Sequence, residues 1–242
     1  MAANRDEMLE RPWTAPGHHW TDRPEVTATR DDLAGGSWMG VNQTGVVAAI
    51  LNRQGTLGPA PGLRSRGELV LEALDHPDAA EAGKALGEID CKAYRPFNMI
   101  IADNRDAFWI RSLGGTGSCG IKVEPIPNGL TMFTAHDMND PSSARIRFFR
   151  PKFATAALPD PARGEWSTWE KLMASREHEP EAGPHGALTI VTQEKDGKRM
   201  GYGTSSSSLL AIAAPGRRPG TGVAWRFAPG APDVTPFQDI KL

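Results

Sequence analysis

The chain contains little cysteine and no excess of either charge, and both observations exclude classes of protein. Its 242 residues include two cysteines, Cys91 and Cys119, which lack zinc-binding spacing. We interpret both as reduced thiols in a reducing compartment, although the sequence is also compatible with one disulfide. Lys and Arg number 27 against 29 for Asp and Glu. The resulting net charge of -2 gives no electrostatic case for a nucleic-acid partner.

Long apolar runs are also absent from the sequence. No stretch is long enough to span a membrane, and none has the basic and apolar pattern of a leader. From these two absences we predict a cytoplasmic location and no transmembrane segment. A chain of 242 residues suits one large domain or two small ones, with a substantial core.

Strand-like hairpins and a helix pair indicate the fold class. Residues 37–51 and 97–111 each contain two apolar runs around a turn, which predicts two hairpins. A helix pair is predicted across residues 65–90, where the capping box Ser65-x-x-Glu68 precedes an apolar run. Hairpins separated from helix pairs in this way are typical of an α+β fold with mainly antiparallel sheets.

The rest of the chain is assigned from its turn residues and apolar runs. We predict an ordered loop over residues 8–34, strands over 119–125, 130–135, 187–191, 202–212 and 223–227, a helix from Pro141, a short helix around Trp166 and Trp169, and a mobile loop over 176–186.

Four polar residues, Asn4, Arg5, Asp6 and Glu7, follow two small ones near the N-terminus. Asp and Asn are unfavourable inside strands, so we predict a strand end that turns into a loop. A solvated tail is the simplest alternative. The four side chains could also contact a ligand, or form an internal turn held by an Arg–carboxylate cluster, and we favour the internal turn.

The same tetrapeptide spells the signature of the NRDE family, the transport and Golgi organisation 2 homologues. Further segments resemble that family in the same order, at residues 33–42, 45–53, 65–69 and 94–98. The resemblance implies one domain over residues 1–242. It also implies the four-layer αββα sandwich of N-terminal-nucleophile (Ntn) hydrolases, with the first strand missing or truncated. The family is associated with haem trafficking and with lipid and Golgi homeostasis.

Residues 40–52 are also similar to a stretch of the choloylglycine-type acylases, which share the Ntn fold. On this resemblance Asn52 falls where those enzymes place an oxyanion-binding Asn, and Arg5 and Asp6 fall near their active-site Arg and Asp. Residues 134–136 fall where they carry Thr-Asn-Asn, so one polar contact is altered here. Residues 204–208 resemble their Ser-rich strand.

The Ntn mechanism requires a nucleophile on residue 1 after processing, with the α-amine of that residue as general base. Removal of Met1 would leave Ala2, which has no nucleophilic side chain. In the family, a strand that begins with Cys precedes the tetrapeptide. Three explanations stay open: a start placed downstream of the true one, a truncated chain, or a naturally short protein that is not a hydrolase.

Two pairs of adjacent residues, each of which contains histidine, have both a binding and a structural interpretation. His18 and His19 could ligate haem iron or a metal, but adjacent loop histidines are more often polar surface, so we predict no metal site. His136 and Asp137 could bind a ligand, and a turn-capping Asp beside an ordinary His explains them equally well.

We therefore expect a non-catalytic Ntn-like protein that binds or transports a small amphipathic ligand such as haem or an acyl lipid. The alternative is a Cys-dependent Ntn amidohydrolase or acyltransferase whose nucleophile-bearing strand is absent from this chain. A scaffold role is a third, less supported class. No cofactor is expected to be required, and haem would be cargo. The candidate ligand-binding residues are Asn4, Arg5, Asp6, Glu7, Asn52, His136, Ser206 and Ser207.

Overall fold

The structure is a computed structural model that describes residues 1–114, 120–215 and 222–242. In these ranges the chain forms two mainly antiparallel sheets with α-helices, which confirms the predicted α+β class. The chain divides into two compact units. The terminal unit comprises residues 1–12, 139–211 and 223–242, and the central unit comprises residues 13–138 and 212–222. The four-layer stacking of the Ntn fold stays a prediction.

The central unit contains a seven-stranded sheet in which every strand pairs antiparallel with its neighbours in sequence. Both predicted hairpins are confirmed, as β4–β5 and β6–β7 of this sheet. The strands are β2 (Trp13–Gly17), β3 (Val26–Asp31), β4 (Met39–Asn42), β5 (Val47–Asn52), β6 (Phe97–Ala102), β7 (Ala107–Ser112) and β8 (Ile121–Pro125).

Two helices between β5 and β6 cover one face of this sheet. They are α1 (Gly67–Leu74) and α2 (Ala79–Gly87), so the predicted helix pair is confirmed. Their buried leucines pack with alternate residues of β5, β6 and β7 in one apolar core. Each fully buried side chain of this kind contributes about 1.5–3 kcal/mol to folding. The predicted capping box at Ser65 and Glu68 is wrong, because Arg66 occupies the N-cap position of α1 and makes no side-chain capping bond.

The terminal unit contains a five-stranded sheet in the order β1-β10-β11-β12, with β9 also paired to β10. The longest strand, β10, spans 15 residues and pairs with β1, β9 and β11, so it connects the sheet. The strands of this sheet are β1 (Ala2–Met8), β9 (Val191–Lys195), β10 (Lys198–Ile212), β11 (Val223–Ala228) and β12 (Gln238–Ile240). The α-helices of the terminal unit in the described ranges are α3 (Ala144–Thr155) and α4 (Ser167–Met173).

Several local predictions are wrong, for physical reasons. The predicted loop over residues 8–34 contains β2 and β3; β3 pairs with both β2 and β4 and is buried over its first four residues. Residues 130–135 form no strand; the carbonyl of Thr134 accepts instead from the Asn98 side chain of β6. Residues 176–186 contain a 3-10 segment, Pro180–Gly186, and their predicted mobility stays a prediction. Cys91 is disulfide-bonded and not a reduced thiol, and Cys119 lies outside the described residues.

Candidate functional site

The polar residues of the N-terminal tetrapeptide lie inside β1, paired with β10, and not at a strand end or in a tail. The Asn4 side-chain amide donates to the carbonyls of Met173 (3.0 Å) and Leu188 (2.8 Å). The carboxylate of Asp6 accepts hydrogen bonds from Arg145 at 2.9 Å and from a β10 hydroxyl at 2.7 Å. The pairing with β10 outweighs the low strand propensity of these residues.

A β-bulge in β10 places serine hydroxyls beside Arg5. Arg5 pairs with Ser206 and Asp6 pairs with Thr204, so Ser205 is the extra residue on β10. Bulges reorient side chains in this way. Arg5 Nη1 donates to Ser205 Oγ at 2.9 Å, and that hydroxyl donates to the Arg5 carbonyl at 3.1 Å. The tetrapeptide and the Ser-rich strand therefore form one polar group, which we call the Arg5 site.

Three candidate side chains carry a buried oxygen that has no hydrogen-bond partner in the described part of the chain. They are the Oδ1 of Asn4 and the Oγ atoms of Ser206 and Ser207. Leaving such a group unpaired costs about 1–3 kcal/mol, so each calls for an explanation. Ser206 lies directly opposite Arg5 and Ser207 directly opposite Asn4, which places the two hydroxyls on opposite faces of the sheet.

The pKa of Tyr202 is raised by burial and by nearby charges, including that of Asp6. Burial raises the pKa of Tyr202 to about 12, the charges of Asp6 and Glu7 add to this, and Arg145 opposes it. Tyr202 therefore stays protonated at neutral pH and remains a hydrogen-bond donor. Glu7 accepts a hydrogen bond from the backbone N–H of the next residue at 2.9 Å, so it supports the strand locally.

A second polar group lies in the central unit and includes residues that the sequence did not single out for binding. The Asp137 carboxylate bridges two guanidinium groups: Oδ1 accepts from Arg53 at 2.7 Å, and Oδ2 accepts from Arg111. Arg53 also donates to Asn98 Oδ1 at 2.7 Å. We call these four residues the arginine–aspartate cluster.

Asn98 organises this cluster and is fully buried on β6. Its Oδ1 accepts from Arg53 and from the indole N–H of Trp109 at 3.1 Å. Its Nδ2 donates to the carbonyls of Thr134 at 2.9 Å and His136 at 2.7 Å. Both lone pairs and both N–H bonds of the amide are thereby used. The amide fixes the loop that carries Asp137.

Asn52 and His136, the two candidates in the central unit, are placed differently relative to Asn98. Asn52 pairs with Phe97, on the strand face that carries Ala48 and the helix-covered core. Asn98 is one residue further along β6 and lies on the opposite face. His136 lies in the loop that Asn98 holds, and its Nδ1 is 3.4 Å from the Thr134 hydroxyl. Asn98, and not Asn52, therefore shares a polar group with His136.

The other His, Cys, Asp and Glu side chains that the structure describes do not assemble a metal site. No group of three or more His, Cys, Asp or Glu side chains in the described ranges could hold a metal ion. His19 Nε2 lies 2.8 Å from the carbonyl of Ala15, and its ring contacts Trp20 edge to face at 5.6 Å, so its contacts are local. No described helix combines the length and apolar character that crossing a bilayer requires.

The sequence alone indicates only some of the residues of the Arg5 site and of the arginine–aspartate cluster. The tetrapeptide and the serine run were both noticeable, but nothing local showed that they pair. Arg53 and Asp137 are 84 residues apart in the chain, and Arg111 and Asp137 are 26 apart, so no motif spacing links them.

Comparison with known proteins gives one family. The family model described as Transport and Golgi organisation 2 matches residues 1–218. A search of curated proteins finds no match to the chain.

Proposed function

Because the chain belongs to the Transport and Golgi organisation 2 family, we propose that it binds and transports a small anionic amphipathic molecule, such as haem or a long acyl thioester, without turning it over. The observation that carries this proposal is the Arg5 site, where Arg5 donates to Ser205 and lies directly opposite Ser206, whose hydroxyl is fully buried. That hydroxyl has no hydrogen-bond partner in the described part of the chain. The apolar part of the ligand follows from the family resemblance alone.

The charge arrangement around Arg5 supports an anionic ligand. The adjacent carboxylate, Asp6, is engaged by Arg145 and by the Thr204 hydroxyl, and its side chain is only 11% exposed. A ligand oxygen beside Arg5 would accept from a guanidinium, and charge-assisted bonds of this kind are the strong ones.

Binding without turnover is supported by the state of the described cysteine. Cys91 is in a disulfide, so it supplies no thiolate, and the thiolate is the nucleophilic form. We therefore propose that penicillin V, bile-salt amides and N-acyl amino acids are not cleaved. A single functional domain over residues 1–242 is also part of the proposal. The disulfide at Cys91 argues against the predicted cytoplasmic location, because cytosolic thiols are mostly kept reduced.

The test is a titration of haem and of palmitoyl-coenzyme A into the wild type and Arg5→Ala, followed by calorimetry or absorbance. Loss of a charge-assisted contact of about 1.5–3 kcal/mol should weaken binding roughly 10- to 150-fold. The matched control is Arg163→Ala, which removes an arginine of the same unit whose side chain is 82% exposed. That variant should bind as the wild type does.

Two results would contradict the proposal. Equal affinities of Arg5→Ala and the wild type for both ligands would show that Arg5 does not contact the charged end. Amide cleavage that thiol alkylation abolishes would show a catalytic cysteine and would favour the amidohydrolase alternative. The cleavage assay runs on the same protein samples, with each of the three amide classes.

A further inference from the structure

We propose that Arg53 and Arg111 of the central unit form a binding site for a phosphoryl group, and that Asp137 occupies this site as an internal competitor. The site goes beyond the function proposed for Arg5 and rests on different residues. Three observations support the proposal. They are the position of the two arginines on one face of the sheet, the unequal exposure of the three charged side chains, and the Nε–H of Arg111, which has no hydrogen-bond partner in the described ranges.

The sheet brings the two arginines together. Leu51 of β5, Asn98 of β6 and Arg111 of β7 are paired across adjacent strands, so their side chains lie in one row on one face. Arg53 is two residues beyond Leu51 and donates to Asn98 at 2.7 Å. Both guanidinium groups donate to Asp137 and therefore meet at one place on this face of the sheet.

The two cations of the cluster are mostly buried, whereas the anion is partly exposed. The side chains of Arg53 and Arg111 are 15% and 16% exposed, but that of Asp137 is 40% exposed and comes from a loop. The nearest second carboxylate, Glu124, reaches Arg111 only at 4.0 Å and is 43% exposed, so solvent screens it. Two positive charges thus face one closely bound negative charge. Asp137 is the member of the cluster that an external anion can replace.

The arginines keep their positions by contacts that do not involve Asp137. Arg53 is held by Asn98, and the Arg111 guanidinium lies over the Trp109 ring at 5.1 Å from its centre. Such stacking orients an arginine without neutralising it. An incoming anion would therefore find the two guanidinium groups already oriented, which lowers the cost of binding.

One unused donor favours phosphate over carboxylate. Asp137 uses one carboxylate oxygen on each arginine, and the Nε of Arg111 is buried without a hydrogen-bond partner in the described ranges. A carboxylate has two oxygens that can accept, whereas a phosphate monoester has three terminal oxygens. The third oxygen can accept from this N–H while the other two reproduce the contacts of Asp137. The ligand class is therefore a phosphate or phosphate monoester.

The experiment measures anion affinity after removal of the internal competitor. Inorganic phosphate, adenosine monophosphate and acetate are titrated calorimetrically into the wild type and Asp137→Asn, which keeps the side-chain volume and removes the charge. We expect Asp137→Asn to bind phosphate at least 10-fold more tightly than the wild type, and acetate to gain less. Tighter binding of the monophosphate than of inorganic phosphate would identify the ligand as an ester.

Two further variants make the result specific. Glu124→Gln removes a nearby carboxylate that is not in close contact with either arginine, and its phosphate affinity should stay within about twofold of the wild type. The double variant Asp137→Asn/Arg111→Gln should lose the gain. If Asp137→Asn does not fold, the shift of the wild-type melting temperature by phosphate is compared with that of Arg111→Lys, which should lack it because Lys cannot bind bidentately.

The proposal is overturned if folded Asp137→Asn binds phosphate no more tightly than the wild type. It is also overturned if the gain survives in the double variant. In the fallback measurement, a phosphate shift that is absent in the wild type or equal in Arg111→Lys has the same consequence. Asp137 would then be a structural partner of the two arginines and no more.

Discussion

Replacement of Asn98 by alanine tests how much the buried amide contributes to the central unit. The amide makes four hydrogen bonds of 2.7–3.1 Å, to Arg53, Trp109 and the carbonyls of Thr134 and His136. Each neutral bond contributes about 1 kcal/mol and the bond from the guanidinium about 2 kcal/mol. Because neighbouring bonds are not additive, we expect a loss of about 4 kcal/mol in the free energy of unfolding.

Urea unfolding measures the loss, and hydrogen exchange locates it. Asn98→Ala should raise the exchange rate of amides around residues 134–137, since the loop loses both bonds that hold its carbonyls. Asn128→Ala, which changes an exposed asparagine outside every strand and helix, serves as the control and should alter stability by less than about 0.5 kcal/mol. A loss below about 1 kcal/mol in Asn98→Ala, with unchanged exchange in the loop, would refute the assigned role of the amide.

Two other sites give further predictions. At Asp103, burial opposes the charged form, but three backbone N–H donors, including that of Ala79 at the start of α2, outweigh it and lower the pKa. Asp103→Ala should therefore destabilise the protein by about 1 kcal/mol at pH 7. The difference in free energy of unfolding between the variant and the wild type should disappear as the pH falls below 4 through the folded-state pKa. Urea unfolding measures this difference, and an unchanged value at pH 3 would contradict the prediction. A Cβ on Gly40 would lie 2.5 Å from the Cβ of Ala28 and 2.7 Å from Leu74 Cδ1. Gly40→Ala should thus lower stability by about 1–3 kcal/mol in thermal unfolding, and a wild-type melting temperature would show that the core can move apart.

The sequence was most informative where the determining contacts are local. The β4–β5 and β6–β7 hairpins follow from apolar runs around short turns, and α2 starts one residue after Asp78, whose side chain caps Glu81 N–H at 2.8 Å. In these elements the residues that determine the structure are close in sequence. Pattern analysis can therefore find them without knowledge of the fold.

The sequence was least informative where the stabilising partner is distant. Asn4 to Glu7 were assigned to a strand end because of their own propensities, whereas their partner strand lies about 200 residues away. The extra residue Ser205 follows from the register of that pairing. Arg53, Arg111 and Asp137 likewise meet only after the sheet has formed. Distances of this kind are set by the fold and not by motif spacing.

The pairing of β1 with β10 also determines the order in which the protein can fold during synthesis. Strands β2 to β8 leave the ribosome in the order in which they pair. From β3 onwards, each strand can therefore pair with a strand that has already been synthesised. Strand β1 emerges before these strands, and the partner that it has in the described ranges, β10, begins only at Lys198. Long-range pairing of this kind is slow. The nascent chain therefore carries β1 without β10 until residues 198–212 have been translated, and an unpaired strand edge of this kind is prone to aggregate.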